Sequence, residues 1–370
     1  MRHCINSTMI NPLFFELLQI SLGHRTEFSH TPTEDQWQEL YLLSKKQALL
    51  GIAFIGIERL PDTQRPTRPL LLQWIFATER IKEINSQLDK KAVIISQKFY
   101  NDGFRNVILK GQGVAQYYKI DNLDKFRMPG DVDVWLDGTR KDIIEYVRNI
   151  MPNSKIVYHH ADFPKIDNVE VEVHFTPSWM NSYFTNRKLQ HYFNQSRVGL
   201  FQTNSSNGIS VPTLAFNRVY ILIHIYRHLF HEGIGLRQLM DYYYVLRQGF
   251  TEEEREETMH VLCALKMKRF TGAVMWVLQE VLGMEDVYFI TNPNETEGRF
   301  LLNEIMRSGN FGQYDKQMSR QIQESDWSFG IRKIRRSMRF VRRYPSEVLW
   351  SPVFKMWHYF WRRKMQINRV

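Results

Sequence analysis

Residues 127–137 read RMPGDVDVWLD, a strand pattern interrupted by acid. Val132, Val134 and Leu136 alternate like the buried face of a strand, and Asp131 and Asp133 fall between them after a Pro-Gly turn. Side chains at i and i+2 of a strand share a face, so the two carboxylates point the same way. Aspartate is depleted in strands, and two like charges held together and buried are costly unless a cation compensates them.

Residues 169–175, VEVEVHF, repeat the arrangement. Glu170, Glu172 and His174 alternate with Val169, Val171, Val173 and Phe175, the period-two pattern of a strand with one apolar face. If the two strands are neighbours, three or more carboxylates converge. Oxygen donors of this kind suit hard divalent cations such as Mg²⁺. Carboxylates that share two such ions can activate a hydroxyl and stabilise a leaving pyrophosphate.

Outward from these strands the pattern is helical. Thr33 followed by Glu34 and Asp35 predicts a capped helix beginning near Gln36. Apolar segments follow over 47–60 and 69–100, the second with three- and four-residue spacing. Residues 107–109 predict a short strand, Lys110-Gly111-Gln112-Gly113 a turn, 114–118 a short helix, 139–151 a helix and 156–160 a strand. Beyond Pro212 helices are expected over 214–230, 235–247, 252–281 (two of them) and 298–306. The expected organisation is α+β: a helical N-terminal region (1–103), a small mixed sheet (104–200), a helical C-terminal domain (201–330) and a basic amphipathic tail (331–370).

The composition fits an ordinary globular chain, with 43% apolar and 24% charged residues in 370. Two cysteines, Cys4 and Cys263, exclude a disulfide framework or a thiolate zinc site within one chain. The N-terminal run MRHCINSTMINPLFFELLQISLG is broken by Asn11, Pro12, Glu16 and Gln19 and reads as an amphipathic helix, not a signal peptide. No stretch approaches the roughly 18 apolar residues of a membrane span, so the expectation is a cytoplasmic protein. The net charge is +10, yet twelve Lys and Arg against Glu347 alone lie from Ile331 onward. The basicity therefore belongs to the tail, and the overall charge is no argument for nucleic-acid binding by the body.

LKGQGVAQYY, RMPGDVDVWLD and VEVEVHF together resemble the DNA polymerase β-like nucleotidyltransferase superfamily, closest to the bacterial branch called uncharacterised nucleotidyltransferases. The resemblance covers roughly residues 104–175 with specific motifs. It implies a small mixed-sheet nucleotidyltransferase core flanked by helical regions. It implies that Asp131 and Asp133 bind Mg²⁺ or Mn²⁺ with the nucleoside triphosphate, and that Glu172 is the third carboxylate, with Glu170 a competitor. It implies a nucleotide-binding set of Lys110, Gly111, Gln112, Gly113 and Arg127, in which glycine lets phosphate approach the backbone and the cations neutralise it. The turn departs from the superfamily's usual Gly-Gly or Gly-Ser. The implied reaction moves a nucleoside monophosphate from an NTP to a hydroxyl acceptor and releases pyrophosphate. The alternative is a non-catalytic member that binds nucleotide or a partner.

His224, His228 and His231 recur at i, i+4 and i+7. They have the spacing of zinc ligands with Asp241, of a satisfied core, or, on the resemblance, of a nucleotide pocket lined by His224, His228, Arg237 and Asp241. The core is the commoner fate of such histidines. His159 and His160, at the end of an expected strand, face either the surface, the commoner place, or the same cleft. In the tail, IRKIRRSMRFVRRYP places Ile331, Ile334, Met338 and Val341 on one stripe among arginines, and three tryptophans follow. That composition suits a helix packed on the body with a solvated basic face, or peripheral contact with an anionic membrane or another polyanion, at the inner face of a membrane.

Overall fold

The computed structural model describes residues 11–201, 209–314, 332 and 335–367. Four helices come first: α1 (Pro12–Leu22), α2 (Glu34–Lys46), α3 (Leu50–Arg59) and the 34-residue α4 (Arg68–Asn101). Thr33 caps α2 through a reciprocal pair with Gln36, as the capping sequence predicts. The strands and their connections follow: β1 (Asn106–Ile108), α5 (Gln112–Ala115), β2 (Val132–Leu136), α6 (Arg140–Ile150), β3 (His160–Ile166) and β4 (Val169–His174). The remaining helices are α7 (Tyr183–Leu200), α8 (Leu214–His231), α9 (Leu236–Leu246), α10 (Glu252–Ala264), α11 (Lys268–Leu282), α12 (Glu295–Ser308) and α13 (Pro345–Ile367).

The sheet order is β1-β2-β4-β3. β1 and β2 are antiparallel, β2 and β4 parallel, and β3 and β4 form a hairpin. Asp167 and Asn168 turn that hairpin with φ of +49° and +67°, the left-handed geometry that Asp and Asn tolerate. The register places Val132 beside Val171 and Val134 beside Val173, so the apolar faces of β2 and β4 coincide. They form one core with the C-terminal half of α4 and with α6. The opposite face carries Asp133 and Glu172 in register, then Trp135 beside His174. Helices cover this face too, with Phe193 of α7 and Phe216 of α8 packed around Trp135.

Two expectations are corrected. The strand expected over 156–160 runs over β3 instead, and Ile156 makes only an isolated bridge to Ala161. Pro164 hides this strand from the sequence pattern. It is tolerated because β3 is an edge and the register shifts between Phe163 and Ile166. Helix α7 has no counterpart among the expected elements, because its buried residues Thr185, Leu189, Phe193 and Leu200 make too narrow a stripe among polar neighbours.

The helices on either side of the sheet in sequence share a second core. α1, buried on nearly all sides, packs against α3 and α11, and Gln19 Nε2 donates to the Glu280 carbonyl at 3.0 Å. The segment entering α13 is anchored rather than solvated. Arg336 is buried and donates to the carbonyls of Leu229 (2.9 Å) and Phe230 (3.2 Å), and Phe340 and Tyr344 join the core. Ile331 and Ile334 lie outside the described residues; of the remaining stripe, Val341 packs on the core while Met338 is exposed.

Candidate active site

The β2–β4 register builds the acidic centre. Asp133 is 1% exposed, and Glu172 stands directly across the ladder from it. Asp131, immediately before β2, lies at the junction of two cavities. Glu170 is exposed and pairs with Lys165 at 2.9 Å, so the parallel ladder selects Glu172 as the acid beside Asp133.

Two cationic groups meet Asp133 Oδ1: Lys110 Nζ and His174 Nε2, each at 2.9 Å. His174 Nε2 also lies 3.5 Å from Glu172 Oε2, and His160 Nδ1 lies 3.1 Å from that oxygen. Burial opposes the imidazolium of His174, but hydrogen bonds to Asp133 and Glu172 outweigh it and raise its pKa. Burial likewise pushes Glu172 up, and the His174 hydrogen bond and the Lys110 charge bring it below the ordinary value. Glu172 is therefore ionised at neutral pH. Burial pulls His160 down to about 2, so it is neutral.

Asp133 Oδ2 is buried with no hydrogen-bond partner, an uncompensated acceptor of the kind proteins avoid. Ligand atoms of Asp133, Glu172 and His174 lie within 4.8 Å of one another. The oxygen-rich set with an orphaned carboxylate oxygen fits a hard divalent cation.

Lys110 and Gly111 come from the turn between β1 and α5. Gly111 has φ +58° and ψ −114°, a conformation that favours glycine, and a Cβ there would sit 3.2 Å from the Asp131 carbonyl. Gly113 is glycine for packing, since a Cβ would meet the Ile108 carbonyl at 2.3 Å. Gln112 turns toward α4 and donates to Asp89 at 2.6 Å. Neither Gln112 nor Gly113 lines the cleft; the expected phosphate-binding turn contributes through Lys110 and Gly111.

Helices α8 and α9 form the opposite wall. A narrow lobe is bounded by Gly111, Gly130, Asp131, His224, Arg237 and Asp241. A larger one, about 450 Å³, is bounded by Glu172, His160, Trp179, Arg227, His228 and His358 among others. Lys110, Asp131 and Phe311 line both. Arg127 is buried and bound bidentately by Asp241 at 2.7 and 2.8 Å, while Tyr118 donates to the same carboxylate at 2.6 Å. It therefore braces α9 against the loop before β2, and it also lines the narrow lobe. Arg237 takes the cationic place in that lobe; burial and the Arg127 charge lower its pKa, and no ion pair to it occurs among the described residues.

The histidines divide. His224 faces the narrow lobe and His228 the larger one, with ring centroids 4.3 Å apart. His231 instead packs near Trp179 at 5.7 Å. Asp241 is engaged by Arg127, and none of the four belongs to a metal-holding group among the described residues, so the zinc arrangement is not formed. Of the two places open to His159 and His160, the cleft is the one they take: both line it, and burial holds His159 well below its ordinary pKa. Sequence reading passed over Arg227, Trp179 and the role of His174. Only His174 carried a signal, as the next residue on the Glu170–Glu172 face.

A family model described as uncharacterised nucleotidyltransferase matches residues 33–283. No curated protein and no solved structure matches.

Proposed function

The chain belongs to the uncharacterised nucleotidyltransferase family, and on that premise we propose that it transfers a nucleoside monophosphate from an NTP to a hydroxyl-bearing acceptor. One observation carries the reading: Asp131, Asp133 and Glu172 converge where two cavities meet. A polymerase β-like core is the arrangement to which this geometry corresponds.

Asp131, Asp133 and Glu172 would hold Mg²⁺ or Mn²⁺, which when bound stabilises charge on phosphate oxygens and acidifies a hydroxyl. Gly111 admits a phosphate oxygen to the backbone, and Arg237 supplies positive charge in the narrow lobe. Lys110 sits between the two substrates. The acceptor oxygen attacks the α-phosphorus and the bond from that phosphorus to the bridging oxygen breaks. Pyrophosphate leaves with the electron pair, and the hydroxyl proton passes to Glu172, which His174 and Lys110 keep ionised.

The test follows pyrophosphate release from each of the four NTPs with Mg²⁺ or Mn²⁺ over a panel of hydroxyl acceptors. Turnover that Asp133→Ala abolishes supports transfer. Equal behaviour of wild type and Asp133→Ala would remove its main support, and nucleotide binding without turnover would favour the non-catalytic alternative.

For the C-terminal helix we propose peripheral contact with an anionic membrane surface. Leu349, Val353, Met356 and Phe360 stand exposed at helical spacing on α13, with Arg362, Arg363 and Lys364 at its end. No helix among the described residues is long and apolar enough to cross a membrane. Co-sedimentation with phosphatidylserine-containing vesicles checks this: Met356→Glu with Phe360→Glu should abolish pelleting, and unchanged pelleting would overturn it.

A further inference from the structure

Several buried arginines of the helical regions are neutralised or fully used within the protein, whereas Arg237 in the narrow lobe makes no ion pair among the described residues. Arg127 is held by Asp241, Arg218 by Glu254 at 2.8 Å, and Arg336 by two carbonyls. Arg227 of α8 differs. It borders the larger lobe beside Glu172 and His160, its Nε is buried without a hydrogen-bond partner, and no ion pair to it occurs among the described residues. Burial accordingly lowers its pKa.

The surroundings fix this guanidinium rather than neutralise it. Its plane lies over the Trp179 ring, 4.3 Å from the centroid, and Nη2 is 2.8 Å from His228 Nε2. An arginine can only donate, so His228 Nε2 accepts and its proton resides on Nδ1. That nitrogen lies 2.7 Å from Glu232 Oε2, which accepts from it. The relay Glu232–His228–Arg227 thus locks the orientation, and a neutral imidazole stands between the carboxylate and the guanidinium. Arg227 is half-buried, and Glu232, Glu172 and Asp133 act on its charge only through space, without an ion pair to it among the described residues, so a paired anion would still be favourable there. A planar fork held in one orientation is the geometry that binds a carboxylate or phosphate bidentately.

We propose that the acceptor itself is an anion, a hydroxyl compound bearing a phosphate or carboxylate group that Arg227 binds in the larger lobe. The inference rests on the nucleotidyl-transfer reading, in which this lobe faces Glu172 and receives the acceptor. Phosphate and carboxylate satisfy the same fork, so the two sources are separated by experiment. Arg227 is then the specificity-determining contact, and its salt link to the acceptor sets the hydroxyl toward Glu172.

The test uses the full chain with Mg²⁺ and a saturating non-hydrolysable α,β-methylene NTP, so that the nucleotide is already bound. Calorimetry then measures binding of inorganic phosphate, ribose 5-phosphate, gluconate and neutral ribose. The expected result is that phosphate and ribose 5-phosphate, or gluconate, bind at least tenfold more tightly than ribose. Whichever anion binds identifies the group. Arg227→Gln should lose that preference at least tenfold, and Arg227→Lys should retain the charge yet lose part of it. Arg227→Gln must keep the wild-type affinity for the NTP analogue, which shows that it is folded. If ribose matches the anions, if no anion binds, or if Arg227→Gln binds them like wild type, the proposal is overturned. Failure of the NTP analogue to bind wild type would instead count against the nucleotidyl-transfer reading, and that measurement is made first.

Discussion

The two walls of the cleft carry opposite charge and treat it oppositely. On the sheet wall Asp133 is matched by Lys110 and His174, and Glu172 by His160 and His174. On the helical wall Arg237 is buried and Arg227 half-buried, and neither makes an ion pair among the described residues, although nearby carboxylates act on both through space. Internal partners hold the acids in position and keep Glu172 ionised. On the proposed reading, the arginines keep their charge for whatever enters, so that one wall is organised by the protein and the other is completed by its ligands.

The strongest way to break this comparison is Asp133→Ala, which removes the centre of the sheet wall and strands Lys110 and His174. On the transfer reading, turnover should fall about 10³-fold or more, roughly 4 kcal/mol of transition-state stabilisation; pyrophosphate release measures it. Asp241→Ala tests the part of the helical wall that is neutralised internally. It leaves Arg127 buried and unpaired, so stability should drop by about 3 kcal/mol in denaturant unfolding. A loss below about 1 kcal/mol would show that solvent already compensates Arg127.

The choice of third acid sharpens the sheet wall. Glu172→Gln should slow turnover about 100-fold, the scale of a lost proton acceptor, while Glu170→Gln changes it less than twofold because its pair with Lys165 is a surface one. The reverse order would move the centre one residue pair along β4.

The smallest effect concerns the anchoring of α13. Glu347 is buried and accepts from the Asn181 amide at 2.8 Å; burial pushes its pKa up to about 7. A folded pKa above the unfolded one means the neutral acid is favoured in the fold. Its contribution is complete below the unfolded value and is lost as pH rises through about 7. Stability should therefore decline by about 2 kcal/mol from pH 5 to pH 8, and Glu347→Gln should flatten that slope. Thermal melts across this range are the measurement.

The sheet wall was legible because strand periodicity exposes its own chemistry. Asp131, Asp133, Glu172 and His174 stand out as polar residues on valine-rich strands, and the apolar alternation fixes the register. What periodicity could not supply was which strands are neighbours; the parallel β2–β4 ladder decided between Glu170 and Glu172. The helical wall was legible in part, and only through the resemblance: His224, His228, Arg237 and Asp241 were expected to line a pocket and do line the two lobes. Arg227, in IYRH, reads as solvated surface, and only tertiary packing brings it to the cleft. Arg127 shows what spacing leaves out: its place beside the aspartates implies phosphate contact, and it does line the narrow lobe, but its pairing there with Asp241, 114 residues away, is not visible in the sequence. β3 was obscured by Pro164 and α7 by its sparse stripe, both features whose meaning depends on what lies alongside.

The parallel ladder joining β2 to β4 has one more consequence. The acidic centre is written in two short segments, while Trp179, Arg227 and His358, which shape the larger lobe, come from the segment after β4, from α8 and from α13. On the proposed reading, chemistry and selectivity are thus encoded in separable stretches of the chain. Such a scaffold can trade one acceptor for another by drift in its helices while its strands stand still, and a grafted α8 and α13 would be the place to begin re-engineering it.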